Sequence, residues 1–453
     1  MIRLMVAAPS SGSGKTVVTC ALLTAFRRRG LNPCAFKCGP DYIDPMFHRA
    51  VLGTESHNLD LFLSDAQRAR ELFDRASCGH GAAVCESAMG FYDGLGGTSD
   101  AASAWSVAEA LDLPVLLLVR ANGAAMSLAA VMRGMRDFRR NSHIIGVLLN
   151  DCSPALFRTL SPALERETAL PILGCLPHMP EAEFPSRHLG LYAAAEIADL
   201  QERFETLADA LETHVDMERL LKLYDAAEPE TRPPLERKAS GALIAVARDE
   251  AFGFVYAETL ETLEASGAEI AFFSPMRDAA LPANVGGLIL PGGYPELYAQ
   301  RLSENVAMRS AIANAVRDGL PTVAECGGFL YLGASLRGAD GVSYPMAGVL
   351  PGDGFPCGKL VRFGYAALSA DADSLLFRTG ETFPAHEFHY WDSTETGNAL
   401  RMEKPVTGRR WRCGFVNETL YAAFPHLYFY GRPELAERFM DAARRYRERM
   451  AQT

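Results

Sequence analysis

The chain has 453 residues, enough for roughly two or three ordinary domains with ample core. Its 49% hydrophobic and 22% charged content is that of a soluble globular protein, and its net charge of -11, spread along the chain, offers a nucleic acid no electrostatic footing. No apolar run approaches the ~18 residues of a membrane span, the amino-terminal strand lacks the basic flank of a signal peptide, and the ten cysteines are scattered with no CxxC pair. These features argue against structural zinc, against a disulfide framework and for a reducing cytoplasm.

In chain order, short apolar strands are predicted at Leu4–Ala8, Pro33–Lys37, Ala82–Glu86, Pro114–Val119, Ile144–Leu149 and Ile172–Leu176, with amphipathic helices between them. That alternation is the signature of a parallel sheet covered on both faces. Residues 202–225 read as one exposed helix, and 226–240, rich in proline and charge, as a linker. From Gly241 the alternation restarts with ALIAVARD, a helix around Tyr256–Ser266, then AEIAFFSP, VGGLILPGG and PTVAECGG. The expected architecture is therefore two doubly wound α/β domains, 1–225 and 241–453. No internal repeat is visible.

The first strand leads into Ala8-Pro-Ser-Ser-Gly-Ser-Gly-Lys-Thr16 and then a helix marked by Val18, Leu22, Leu23 and Phe26, with Arg27–Arg29 in its last turn and Gly30 as its stop. This is the setting of a phosphate-binding loop. Gly12, Ser13 and Gly14 supply backbone N–H groups that wrap phosphate oxygens, Lys15 reaches the terminal phosphates, and the Thr16 hydroxyl suits Mg²⁺. Pro9 stands where the usual pattern has its first glycine. Position 10 is Ser, where partition-type ATPases carry a Lys, which counts against an ATP-driven dimer switch. The loop resembles instead the variant of dethiobiotin synthetases, which activate a carboxylate with ATP.

Two acidic segments follow strands, Lys37-Cys-Gly-Pro-Asp41-Tyr-Ile-Asp44-Pro and Glu86-Ser-Ala-Met-Gly-Phe-Tyr-Asp93-Gly. In a parallel sheet both lie at the carboxyl edge, where ligands bind. Alone, each reads as an ordinary Asp/Gly turn; beside a phosphate loop, four carboxylates suit an oxygen-ligated Mg²⁺ and a phosphoryl transfer.

In the second half, Pro321-Thr-Val-Ala-Glu-Cys326-Gly-Gly-Phe runs from strand to sharp turn to helix, the geometry of a nucleophile elbow. A thiol at a helix start attacks amides readily; a buried structural cysteine is the alternative. Backbone N–H groups of Gly292 and Gly293, with that of Gly327, are placed to form an oxyanion hole. His426, in AAFPHLYFY, is the best candidate for the base, with His386 and His389, in PAHEFHYW, in competition. Cys357 and Cys413 sit in no elbow and read as core or loop.

Together, APSSGSGKT, KCGPDYIDPMFH, ESAMGFYDG, PSRHLGL, PGGYPE, AECGG and HEFHY resemble the corrinoid a,c-diamide synthases over nearly the whole chain. The resemblance implies a P-loop synthetase domain fused to a class I glutamine amidotransferase-like, flavodoxin-like domain. It implies that ATP phosphorylates the c-acetate and then the a-acetate of a corrin ring, and that ammonia from glutamine displaces the phosphate. Carried onto this sequence, Cys326 is the nucleophile and His426 its base; Lys15 and Thr16 meet phosphate and metal; Asp41 and Glu86 hold Mg²⁺; Asp44 and Asp93 border the reacting carboxylate; Arg187 and His188 face nucleotide or substrate. The implied partner is a small tetrapyrrole, with neither nucleic acid nor membrane, and the chain a monomer or a homodimer. Class I glutaminases usually carry Glu two residues after the His; here that residue is Tyr428, so the third triad member is missing or supplied elsewhere. Hydrogenobyrinate and nickel-sirohydrochlorin are rival substrates. A non-catalytic ATPase switch is a rival of another class, opposed by Ser10 and the intact elbow.

Overall fold

A computed structural model describes residues 1–180, 184, 186–187, 190–191, 197–227, 230–239 and 241–452, with the backbone alone for Ser186, Arg187, Gly190 and Leu191. They gather into two units, one of Met1–Leu61 with Asp65–Pro234, the other of Leu235–Thr453 with Phe62–Ser64.

The first unit alternates β1 (Ile2–Ala7), α1 (Lys15–Arg28), β2 (Pro33–Cys38), α2 (Ile43–Leu52), β3 (His57–Leu59), α3 (Ala66–Ser77), β4 (Ala82–Glu86), α4 (Ala104–Leu111), β5 (Val115–Arg120), α5 (Ser127–Asp137), β6 (Ile144–Asn150), α6 (Pro154–Thr168) and β7 (Ile172–Leu176). The strands form one sheet in the order β3-β2-β4-β1-β5-β6-β7, parallel throughout. They are nearly continuous apolar runs because helices bury both faces. Beyond them lie a two-stranded pair, β8 (Ser186–Arg187) and β9 (Gly190–Leu191), then α7 (Leu200–His214) and α8 (Met217–Leu223). His188 lies outside the described residues.

The single exposed helix expected over 202–225 is two helices, and they are not merely exposed. Leu200, Phe204, Leu207, Ala208 and Leu211 form a buried stripe on α7. The break falls at Val215, which makes an antiparallel bridge to Gly174. Asp216 then caps α8, its side chain accepting from the Arg219 N–H at 2.9 Å. A strand-like contact and a fresh N-cap thus interrupt one continuous helical pattern.

The second unit carries β10 (Ala242–Ala247), β11 (Phe252–Phe254), α9 (Ala257–Ala265), β12 (Ala268–Phe273), β13 (Val285–Leu290), β14 (Gly292–Gly293), α10 (Ala299–Glu304), α11 (Val306–Arg317), β15 (Thr322–Glu325) and α12 (Gly327–Leu332). There follow β16 (Ser335–Arg337), β17 (Ser343–Pro345), β18 (Asp353–Ala370), β19 (Thr382–Ser393), β20 (Leu400–Glu403), β21 (Arg410–Cys413), β22 (Phe415–Val416), β23 (Leu420–Ala423) and α13 (Glu434–Ala451). The central sheet runs β12-β10-β13-β15-β23-β22, parallel except for β22. A second, largely antiparallel sheet, β17-β16-β18-β20-β21 with β19 on β18, was not foreseen from the sequence.

Side chains of the central strands alternate between two cores. Ile244, Val246, Ile289, Val323 and Tyr421 pack with α13 and with the inner face of the second sheet, where Leu368, Phe383, Leu400 and Met402 are buried. Ala245, Ala247, Leu288, Leu290 and Ala324 pack with the helices of the other face. Gly287 lets α13 lie close, since a Cβ there would stand 2.9 Å from both the Phe439 ring and Ile244. Phe439 is fully buried in this contact. Phe439→Ala is expected to cost about 3–5 kcal/mol of stability, read as a drop in the chemical-denaturation midpoint.

Candidate active sites

Two sites stand at the carboxyl edges of the two parallel sheets. In the first, the loop after β1 closes on itself before α1. Gly12 and Gly14 have φ of 70° and 90°, a region favourable only to glycine. Asn150, ending β6, donates to the Ser13 carbonyl at 2.9 Å and lies against Gly14 so closely that a Cβ would strike its side-chain nitrogen. Ser13 is also tied back to the Ser10 carbonyl at 2.9 Å. Lys15 folds over the loop, its ammonium donating to the carbonyls of Ser10 at 3.1 Å and Met89 at 2.6 Å. Burial and the nearby Lys37 lower Lys15 to about 8.

Parallel register brings the acidic segments to this loop. Lys37 of β2 stands directly opposite Glu86 of β4, and the Val6 position of β1 is opposite Glu86 on the other side. The Thr16 hydroxyl donates to Glu86 Oε1 at 2.7 Å. Lys37 Nζ donates to the same oxygen at 2.9 Å and to the Asp44 carboxylate. The other Glu86 oxygen is 2.8 Å from His48 Nε2, whose Nδ1 is 3.0 Å from Ser56 Oγ. Asp41 is placed differently. Its Oδ1 accepts from the Ile43 and Asp44 N–H groups at 2.9 and 3.0 Å, at the start of α2, while Oδ2 is 3.9 Å from Lys37 Nζ. Asp93 is exposed; its carboxylate accepts from the Gly90 N–H at 3.0 Å, and its charge acts on Lys15.

Burial works against the charge on Lys37, but Asp44, Glu86 and Asp41 outweigh it and hold the ammonium well above its ordinary value. Burial alone would raise Glu86; Lys37 and His48 reverse that and keep it ionised. Burial and Asp41 push Asp44 well up against the pull of Lys37. Lys37 and His48 were assigned no role from sequence. The available signal was a lysine next to the end of the apolar strand PCAFKC, a place where an ammonium is buried only if paired.

The Thr16 hydroxyl and the Glu86 carboxylate it bonds are oxygen groups, the kind that Mg²⁺ takes when shared with nucleotide phosphates. Among the described residues no group of three or more His, Cys, Asp or Glu is gathered as a metal cage, but such an ion needs only one or two protein carboxylates.

The second site joins the ends of three neighbouring strands, β13, β15 and β23. Cys326, directly after β15, has φ 48° and ψ -101° and opens α12. Its N–H donates to the Ala423 carbonyl at 2.9 Å. The elbow demands small neighbours: a Cβ on Gly328 would collide with the Leu290 carbonyl, and one on Gly327 would stand 3.0 Å from the Gly293 nitrogen. The Gly293 nitrogen thus passes close to the residue that follows the thiol. Gly292 lies under the ring of His426, where a Cβ would be 2.6 Å from Cε1.

His426 is buried, hydrogen-bonded to Cys326, and its Nδ1 is 3.4 Å from Glu325 Oε2. Burial favours the neutral ring, but the hydrogen bonds and charges of Cys326 and Glu325 prevail and raise it to about 10. Its rivals are otherwise engaged. His389 stacks on Phe424 at 3.9 Å, with Nδ1 2.6 Å from the Trp391 carbonyl and Nε2 3.2 Å from Glu387. His386 contributes its backbone, exchanging N–H···O bonds with His426 at 3.2 and 2.8 Å; burial and the charges of His426 and Lys404 keep its ring well below the ordinary value. Tyr428 packs edge-on against Tyr256 at 5.0 Å. Cys413 is buried and Cys357 half-buried. Glu325 was missed from sequence, although it is a charge closing the apolar strand TVAE.

Family models match both halves: a CobQ/CobB/MinD/ParA nucleotide binding domain over residues 4–191, and a CobB/CobQ-like glutamine amidotransferase domain over 243–434. A nucleotide site and an amide-cleaving site in one chain define a glutamine-dependent, amide-forming ligase. The chain is 37% identical over 444 residues to a cobyrinate a,c-diamide synthase of Caldanaerobacter subterraneus subsp. tengcongensis, covering 96% of this chain and 97% of that one. It is 35% identical to the enzyme of that name from Listeria innocua, covering 98% and 100%, and 36% identical to that from Clostridium acetobutylicum, covering 95% and 98%. The chain belongs to the cobyrinate a,c-diamide synthase family.

The lowered value of Lys15 has a definite sign. With its nucleotide site empty the enzyme loses that charge as pH rises through about 8, so kcat/KM for ATP, which at saturating levels of the other substrates reports the form not yet carrying ATP, is expected to fall across that range. Lys15→Arg, charged throughout, should lack that step whatever its absolute rate.

Proposed function

We propose that this chain amidates the a- and c-acetate side chains of cobyrinate, using ATP and glutamine, in cobalamin biosynthesis. The observation that carries the reading is near-full-length likeness to synthases of that name. No helix among the described residues is long and apolar enough to cross a membrane.

In the synthetase half, a substrate carboxylate oxygen attacks the γ-phosphorus of ATP, ADP leaves, and an acyl phosphate results. Gly12, Ser13, Gly14 and Lys15 receive the phosphates. Thr16, Glu86 and Asp41 are the proposed holders of Mg²⁺, which when bound supplies charge neutralisation at the phosphates. Asp44 and Asp93 border the carboxylate being activated. Lys37 offsets the charge of Asp44 and Glu86, without which a polyanionic substrate would meet two unpaired carboxylates. In the glutaminase half, Cys326 Sγ attacks the glutamine amide carbon, and the oxyanion points at the N–H groups of Gly292, Gly293 and Gly327. The His426 imidazolium gives its proton to the departing ammonia. Water then cleaves the thioester and releases glutamate. The ammonia attacks the acyl phosphate carbon, and phosphate leaves.

Replacing Cys326 by Ala should abolish glutamine-dependent synthesis and spare synthesis from added ammonia. His426→Ala should lower glutamine use by on the order of 10²–10⁴, with His386→Ala and His389→Ala doing less. Loss of both nitrogen sources together, or His389→Ala as the crippling change, would refute these roles. Incubation with cobyrinate, hydrogenobyrinate and nickel-sirohydrochlorin, with product masses read, tests the substrate.

Asp44→Asn and Asp41→Asn separate substrate from metal. The Asp44 change keeps the shape but removes one of the two carboxylates bonded to Lys37, and is expected to slow amidation and let a monoamide accumulate, with glutamate release at Cys326 retained. The Asp41 change is expected to stop every ATP-dependent step. Product mass profiles with glutamate release check both, and indistinguishable profiles would undo the division of roles.

A further inference from the structure

We infer that Glu325, the residue directly before the nucleophile, is a positioning residue for glutamine cleavage: its carboxylate fixes the orientation and tautomer of His426, the task that Tyr428 cannot perform. The inference rests on Cys326 and His426 being the glutamine-cleaving pair.

Three observations carry it. The Glu325 carboxylate grips His426 at two points, with Oε2 3.4 Å from the ring Nδ1 and Oε1 accepting from the N–H of the next residue, Leu427, at 3.0 Å. One rigid carboxylate so sets both the ring and the main chain that carries it, and it leaves Nε2 as the nitrogen for Cys326. Second, the fold makes this reach possible. Glu325 ends β15 opposite Ala423 at the end of β23, only three positions before His426. In an extended strand, consecutive side chains point to opposite faces. The positive φ of Cys326 breaks that alternation, so residues 325 and 326 both meet one imidazole. Third, the residue two beyond the histidine supplies no charge: Tyr428 is buried with its ring against Tyr256 and Tyr430. His386 also interacts with His426, and it cannot take the place of an anion.

Glu325→Gln tests the role, because it keeps the length and an oxygen for the Leu427 N–H while removing the charge. Hydrolysis of glutamine is expected to lose on the order of 10² in kcat with KM changed by no more than about threefold, while ammonia-driven synthesis is unaltered. The alkaline limb of the glutaminase pH profile should move to lower pH, since the ring loses the anion that helps hold its proton. Glu325→Asp, which keeps the charge, should recover part of the rate and return the limb toward its original position. A kcat within about twofold of the parent, an unmoved limb, or an equal fall in ammonia-driven synthesis would overturn the inference. If the Gln variant does not fold, protein that keeps Glu325 decides. In ¹⁵N-histidine-labelled Cys326→Ala protein, where the thiol no longer acts on the ring, the signal lost on further replacing His426 by Asn should still titrate above the ordinary imidazole range, because Glu325 remains; titration at or below that range would overturn the inference. Glutaminase activity surviving in Cys326→Ala would instead mark failure of the underlying assignment.

Discussion

A lysine and a glutamate facing each other on adjacent parallel strands, both out of water, are what the nucleotide-binding unit is organised around. Lys37 and Glu86 are held opposite by strand register, and neither is affordable alone at that depth. Once paired, they attract the rest. Thr16 at the start of α1 and His48 on α2 each take a Glu86 oxygen, and Asp44 takes the ammonium. The loop that wraps phosphate, the helix that follows it and the helix that carries the acidic residues are all anchored to one pair of side chains. Lys15 and Thr16 are held at the mouth of the loop by protein partners, the Ser10 and Met89 carbonyls and Glu86, that an incoming polyphosphate would have to replace.

The glutaminase unit solves a different problem with the same edge. It brings a thiol and an imidazole together from segments far apart in the chain. Three neighbouring strands end together, and the required turn is stored as a left-handed cysteine backbone, a conformation that costs free energy and persists because the packing around it leaves no alternative. Gly327 and Gly328 are small because the Gly293 nitrogen and the Leu290 carbonyl pass so close.

How much of this could be read from residues alone depends on whether the information was local. Apolar strands of five to seven residues between amphipathic helices announced nearly every strand of the first sheet; β3 escaped because three residues carry too little pattern. The phosphate loop was legible because glycine marks a left-handed backbone, as at Gly12 and Gly14, and the elbow because glycine marks close approach, as at Gly327 and Gly328. The second sheet of the amidotransferase unit was not, because β18 is interrupted by bulges between Pro356 and Gly364, which break the period of two. Lys37, His48 and Glu325 were hidden for another reason. Their meaning lies in partners across the sheet, and register is invisible until strands are paired. The split of 202–225 was likewise decided by Gly174, a residue far away in sequence.

The hold that β19 has on His426 runs through main-chain atoms. His386 and His426 exchange N–H···O bonds, and every amino acid but proline can make them. Systematic truncation to alanine through this strand would pass over the connection and credit it with nothing. Freedom to drift in composition at 386 is thus compatible with strict dependence on its backbone, and the variability of a position and its mechanical importance become separate quantities. Removing the amide hydrogen itself, by proline or by an ester linkage in a semisynthetic chain, is the perturbation to which this strand is sensitive.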